Sequence, residues 1–295
     1  MLQITRLLSV AHTVTDVPAA EELYQRIFDG QVFHRGKAAV TGRTATHLLV
    51  SEVCFELVAA TKEERESPYI KRYGGLFTSM LLGVKDLKAA EEALHKAGVR
   101  TIERRAHCFT AHPDDMHGAR YEFTDARLPG DPRNEPGWKP ERWAASPMGI
   151  QGLRSMSVLV EETRATEQFW KEVFHAKPIG ALVNGVHAKL ALLYMLGGAQ
   201  FSVIMPASPD STLAKVMKSQ GAGIHSVGFS STDIDKAATH FRSKGVGVMK
   251  EQSLYRLTLH PRSLMGARIL VMRRPNPGEP DYVWKAIPSK GVTYT

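Results

Sequence analysis

The chain has 295 residues, 43% of them hydrophobic and 23% charged, which is the balance of an ordinary folded protein and excludes a fibrous or wholly disordered one. That length exceeds an average single domain, so two domains of about 100–150 residues are expected, each able to bury its own core. The net charge of +8 is carried by scattered Lys and Arg, with no basic run longer than Arg104-Arg105 or Arg273-Arg274; this argues against a nucleic-acid partner and stays compatible with an anionic small molecule.

No stretch approaches the roughly 18 apolar residues that would span a membrane, and the opening Met-Leu-Gln-Ile-Thr-Arg has no signal-peptide pattern, so the chain reads as cytoplasmic. Cys54 and Cys108 have no C-x-x-C spacing and read as buried free thiols.

In chain order, Leu7 to Val14 is strand-like. Asp16 then caps a helix with Pro18 in its first turn, and Gly30 stops it. Short strands follow at Gln31–His34, Thr46–Ser51 and Val53–Ala59, giving the order βαβββ. The order restarts at Phe77–Val84, with Asp86 capping Leu87–Ala97 and strands near Thr101–Arg104, His107–His112 and Ala119–Thr124. The stretch Leu128 to Trp143 is so dense in Pro and Gly that neither helix nor central strand is expected, and the linker is placed there. Trp138 and Trp143 are expected to pin it to a domain surface.

A third unit has a strand at Leu153–Val160, a helix over Thr163–His175, and strands near Lys177–Leu182, His187–Leu196 and Gln200–Met205. The fourth has Ile224–Ser231, a helix from Asp233 to Lys244, and strands near Gly247–Lys250, Ser253–His260 and Ala267–Met272. The expected divisions are 1–127, a linker at 128–149, 150–273, and a Pro-rich tail at 274–295.

Two regularities show that the units are copies. Seven residues before each helix-capping acid, Asp16, Asp86, Glu162 and Asp233, stands a serine: Ser9, Ser79, Ser155 and Ser226. The stretch His112-Pro-Asp-Asp-Met-His-Gly-Ala-Arg-Tyr-Glu-Phe123 returns as His260-Pro-Arg-Ser-Leu-Met-Gly-Ala-Arg-Ile-Leu-Val271. The second copy has Leu270 where the first has Glu122, so charged chemistry is expected in the N-terminal half alone.

Paired βαβββ modules, an Asp-opened first helix, and a last strand introduced by His-Pro-x-x-x-x-Gly and carrying apolar-Glu-apolar resemble the vicinal oxygen chelate superfamily, which includes glyoxalase I, bleomycin-resistance proteins, methylmalonyl-CoA epimerase and extradiol dioxygenases. The resemblance covers about residues 5–125 and 150–273. It implies an α+β fold in which four βαβββ modules pair into two glyoxalase-like domains, with curved mixed sheets forming clefts. It further implies ligand places at Ser9, Glu56, Ser79 and Glu122 in one half and at Ser155, Ser202, Ser226 and Leu270 in the other. Serine is a poor ligand for a borderline divalent ion, and the C-terminal places hold no charge. An extradiol dioxygenase would need two His and a carboxylate there, so that activity is disfavoured; a one-residue register shift would bring only His225 into line.

In the N-terminal cleft, Glu56 and Glu122 are the candidate metal ligands for one divalent cation such as Mg²⁺ or Mn²⁺. Without metal they become the candidate acid and base, because neighbouring carboxylates push one pKa upward. The bland reading is a fossil site now paired with Arg120 or another cation. His117 joins the catalytic candidates, and Ser9, Ser79 and Arg120 the substrate-binding ones. His112 and His260 read as turn caps because they repeat, and His12 as a core or edge histidine because its parity is opposite to that of Ser9.

The expected function is an enzyme acting on a carbonyl or oxyanion-forming small molecule, of isomerase, lyase or lactone-opening type, in the N-terminal cleft. The alternative is a protein that sequesters an anionic or aromatic small molecule without chemistry. The resemblance is compatible with edge-to-edge homodimerisation, which is common for this fold, and no nucleic-acid or membrane partner is expected.

Overall fold

The computed structural model describes residues 2–184, 189–206, 208–250 and 256–273. The first half runs β1 (Ile4–Val14), α1 (Val17–Phe28), β2 (Gln31–Lys37), β3 (Thr44–Val50), β4 (Val53–Ala59), α2 (Pro68–Tyr73), β5 (Gly75–Val84), α3 (Leu87–Lys96), β6 (Thr101–Arg105), β7 (Cys108–Ala111) and β8 (Arg120–Thr124). After α4 (Glu141–Ala144) the second half runs β9 (Ile150–Leu159), α5 (Thr163–Glu172), β10 (Lys177–Asn184), β11 (Lys189–Leu196), β12 (Ala199–Pro206), α6 (Thr212–Gln220), β13 (Gly223–Ser231), α7 (Ile234–Ser243), β14 (Val248–Lys250), β15 (Arg256–Leu259) and β16 (Ile269–Arg273).

Each half forms one eight-stranded mixed sheet, and the two share a single strand order: β2-β3-β4-β1-β5-β8-β7-β6 and β10-β11-β12-β9-β13-β16-β15-β14. This is the α+β arrangement of paired glyoxalase-like modules. The four capping acids initiate their helices as the sequence indicated. Asp16 and Asp86 accept from Ala19 N and Ala89 N at 3.0 and 2.9 Å, and Glu162 and Asp233 cap the equivalent helices of the second half.

Strand alternation divides each sheet into two faces. Val10, Phe55, Met80 and Phe123 fill the helix-covered side of the first sheet, where Tyr24 of α1 lies 4.9 Å from Phe55 between ring centroids. Met156, Phe201, Val227 and Val271 do the same in the second, with Trp170 of α5 5.7 Å from Phe201. Length suggests a core for each half, but these sides are continuous with one another. One apolar cluster runs through both halves, joined by ring pairs such as Phe28–Phe241 at 5.6 Å.

The repeated His-Pro turn explains much of that union. His112 Nδ1 accepts from Asp114 N, and His260 Nδ1 from Arg262 N, so both histidines are turn caps. Each turn then projects its glycine into the opposite half. A Cβ on Gly266 would lie 1.8 Å from Gly75 O, and one on Gly118 would lie 2.3 Å from Ala222 Cβ; both glycines have φ +87°. No other residue permits such approach in that conformation. Tyr69 also donates to Gly266 O at 3.0 Å and His240 to Ile27 O at 3.1 Å.

The linker departs from expectation in containing the one-turn helix α4. Trp143, fully buried there, donates from its indole to Phe28 O at 3.0 Å, and Trp138 packs against the core. Asp131 and Arg133 form a buried pair, and Arg133 donates onward to Leu8 O and Glu52 O at 2.7 Å each. The predicted helix over 163–175 ends at Glu172, and α2 and α6 were not predicted. Parts of the strands expected at His187–Leu196 and Ser253–His260, and the tail from residue 274, lie outside the described residues. Both cysteines are buried and free. Among the described residues no helix is long and apolar enough to cross a membrane.

Candidate functional site

The concave face of the first sheet is built by the residues that alternate with its core. In register, Ala11 of β1 lies beside both Glu56 of β4 and Ser79 of β5, and Ser79 and Leu81 lie beside Arg120 and Glu122 of β8. The four places suggested by the sequence, Ser9, Glu56, Ser79 and Glu122, are thus on one face, and all are buried to 2% exposure or less.

Between the two carboxylates lies a guanidinium. The turn joining β2 and β3 closes on itself through Ala38 N to Arg43 O and Gly42 N to Ala38 O, at 2.8 Å each, and aims Arg43 at the cleft floor. Arg43 Nε and Nη2 donate to Glu56 Oε1 and Oε2 at 3.1 and 2.5 Å. Nη2 also donates to Glu122 Oε2 at 2.8 Å, and Nη1 donates to Glu122 Oε1 and, at 3.4 Å, to Ser79 Oγ. A guanidinium has five N–H donors. All five are engaged within the chain.

Further groups stand against the two carboxylates. Glu56 Oε1 accepts from Thr41 Oγ1 at 2.7 Å, with His47 Nε2 at 3.6 Å. Arg120 stands 3.4 Å from Glu122 and 3.4 Å from Glu103, which in turn pairs with Arg105. Three carboxylates and three guanidiniums therefore alternate along the face, and their formal charges cancel. Burial would raise the pKa of Glu56, but His47 and the Arg43 guanidinium outweigh it and hold the group down at about 2. For Arg43, burial works against the charged form, but Glu122 and Glu56 outweigh it and raise the pKa above its ordinary value.

This donor set does not fit a divalent cation. The position between Glu56 and Glu122 is filled by an internal cation, the first-strand places are serines, and among the described residues no group of three His, Cys, Asp or Glu side chains converges as a metal site would require.

His117 is not part of the cluster. It occupies the left-handed position ending the His-Pro turn, with φ +56°, and its ring packs 5.6 Å from Phe169 of α5 in the other half. His12 is fully buried on the helix side, as its parity indicated. A carbonyl can only accept, so His12 Nε2 donates to Met265 O at 2.9 Å and Nδ1 accepts from Tyr24 Oη at 3.1 Å. Arg43, Thr41 and His47 were missed from the sequence. The one signal for Arg43 was chemical, in that two facing buried carboxylates require a cation.

The second sheet repeats the geometry with different chemistry. Ser157 lies beside Ser202 and Ser226, and Gly228 beside Ser155 and Leu270. All four serines are buried. The floor is hydroxyl-lined and carries no carboxylate at the equivalent places.

Residues 156–257 match the Glyoxalase/Bleomycin resistance protein/Dioxygenase superfamily. The fold is similar to that of a triple variant of 4-hydroxymandelate synthase from Streptomyces coelicolor, with a TM-score of 0.70 and 16% identity over 93% of this chain and 94% of that one. Methylmalonyl-CoA epimerase from Mycobacterium tuberculosis aligns with 43% of this chain and 90% of its own, at 19% identity and a TM-score of 0.41. No curated protein sequence matches the chain. The family match lies in the second half, and both halves share one strand order, so the fold is that of four βαβββ modules paired into two glyoxalase-like sheets.

Proposed function

We propose that this chain binds a small molecule without a metal and without carboxylate acid–base chemistry, as sequestering members of such a superfamily do, on the concave face of its C-terminal sheet. The observation that carries the reading is the saturation of Arg43. With its five donors on Glu56, Glu122 and Ser79, Arg43 has none left for a substrate, and both carboxylates are engaged by an internal cation. Glu56, held at about 2, is too weak a base for proton abstraction near neutrality. In this reading Glu56 and Glu122, expected as ligands or acid and base, hold Arg43 and the sheet instead. Ser9, Ser79 and Arg120 lie on the same face, and this reading does not assign them to substrate.

The test is metal content and ligand binding of protein purified without chelator, for the wild type and an E56Q/E122Q variant. The reading expects no stoichiometric metal in either protein, and ligand affinity independent of the two glutamates. Stoichiometric metal that disappears in the variant would overturn it and restore the chelate enzyme.

A further inference from the structure

Arg120 and Arg268 are the same residue of the repeated Gly-Ala-Arg, and their acidic neighbours differ. On the N-terminal sheet a single rung runs Glu103–Thr110–Glu122, and Arg120 stands 3.4 Å from each of its carboxylates. The equivalent C-terminal rung runs Met249–Thr258–Leu270. The guanidinium has been kept while both acids have been replaced by apolar residues.

Arg268 Nη1 is fully buried and has no hydrogen-bond partner, and the guanidinium carbon lies 5.6 Å above the Tyr69 ring. Burial pulls the Arg268 pKa down, opposed only by Tyr69 and Tyr73 and by no described carboxylate. The surrounding field is positive. His260 is pulled down by burial and then by the charges of Arg262, Arg268 and Arg72. Arg256 of β15 is in register with Met272 and so shares the face of Leu270 and Arg268. Leaving a buried cation uncompensated is costly, and pairing it with an anion removes that cost.

We propose that the concave face of the C-terminal sheet is an oxyanion site, in which Arg268 takes the carboxylate or phosphate of a small organic ligand while Ser226 and its neighbouring serines face the ligand's polar atoms. Backbone register supports the placement: Val227 N donates to Arg268 O at 3.1 Å, which sets Ser226 beside Arg268. A planar guanidinium stacked on an aromatic ring is preorganised for bidentate contact with an oxyanion. The inference rests on the small-molecule reading above and specifies the ligand's charge.

The experiment measures thermal stability of the full chain and titration with benzoate, its neutral isostere benzamide, and inorganic phosphate, all at constant ionic strength. The proteins are the wild type, R268M and L270E. We expect R268M to melt at least about 2 °C above the wild type without ligand, because it removes an unpaired charge. Benzoate or phosphate is expected to bind R268M at least tenfold more weakly than the wild type, and benzamide to show no such difference; which of the two anions binds distinguishes a carboxylate from a phosphate ligand. L270E returns the missing carboxylate and is expected to abolish the anion response while folding normally. Lower stability of R268M in the absence of ligand, or equal binding of both anions by wild type and R268M, would overturn the proposal. Benzamide and benzoate bound alike, with no dependence on Arg268, would do the same while leaving small-molecule binding standing. Metal bound through Glu56 and Glu122 would instead remove the reading beneath it.

Discussion

Arg43 Nη2 stands 2.8 Å from Glu122 Oε2 while the same nitrogen stands 2.5 Å from Glu56 Oε2, so one atom ties β4 to β8 across the middle of the first sheet. Removing it leaves two buried carboxylates facing each other. R43M is expected to cost about 3–5 kcal/mol, whereas the triple replacement R43M/E56L/E122L is expected to be neutral or stabilising by about 1–4 kcal/mol. Urea unfolding of the two variants checks the sign of each change.

The acid limb of stability divides between two groups. Burial, only partly offset by the bond to Met265 O, depresses His12 from 6.5 to about 4. Its contribution is therefore complete above pH 6.5 and lost as pH falls through 4. Glu56 is depressed from 4.5 to about 2, so its contribution is complete above 4.5 and lost as pH falls through 2. Each shift corresponds to about 3 kcal/mol. Unfolding midpoints measured from pH 7 to pH 2 are expected to fall in two stages, with H12N lacking the upper stage and E56Q the lower.

Glycine is demanded at the motif turns by contact and at other positions by conformation alone. G266A is expected to cost more than about 4 kcal/mol, since its Cβ would overlap Gly75 O. G98A has a similar φ of +83° but nothing within 4 Å, and is expected to cost only about 1–2 kcal/mol. Thermal unfolding of the pair separates steric exclusion from backbone strain.

His117 supplies a control. H117N keeps a residue that tolerates the left-handed position and removes only the ring against Phe169. The expected result is a loss of about 1 kcal/mol and unchanged ligand affinity. A large fall in affinity at unchanged stability would return His117 to the site.

The fold was legible because its signals are local and repeated. Four acids cap four helices in the same way, and the period brings four serines to one place in each first strand. The helices α2 and α6 were readable too, through Ser67-Pro68 and the capping Ser211, but each joins two modules and so falls outside the βαβββ order by which the chain was read. The site was legible only in part. Glu56 and Glu122 were located by strand position, whereas Arg43 reaches them from a turn whose conformation no periodicity encodes. The asymmetry at Leu270 was visible, yet its consequence for Arg268 required knowing that Glu103 and Met249 stand at the far ends of the equivalent rungs of the two sheets.

The interlocking of Gly266 with Gly75, and of Gly118 with Ala222, means that each half carries a part shaped to the other. Gly137 lies between them, with φ +78° and open space around its α-carbon. A chain severed there would give two pieces that recognise one another through backbone-close contacts and the Trp143 bond to Phe28 O, so the molecule is a natural scaffold for fragment complementation, with reassembly reporting on whatever is fused to either piece.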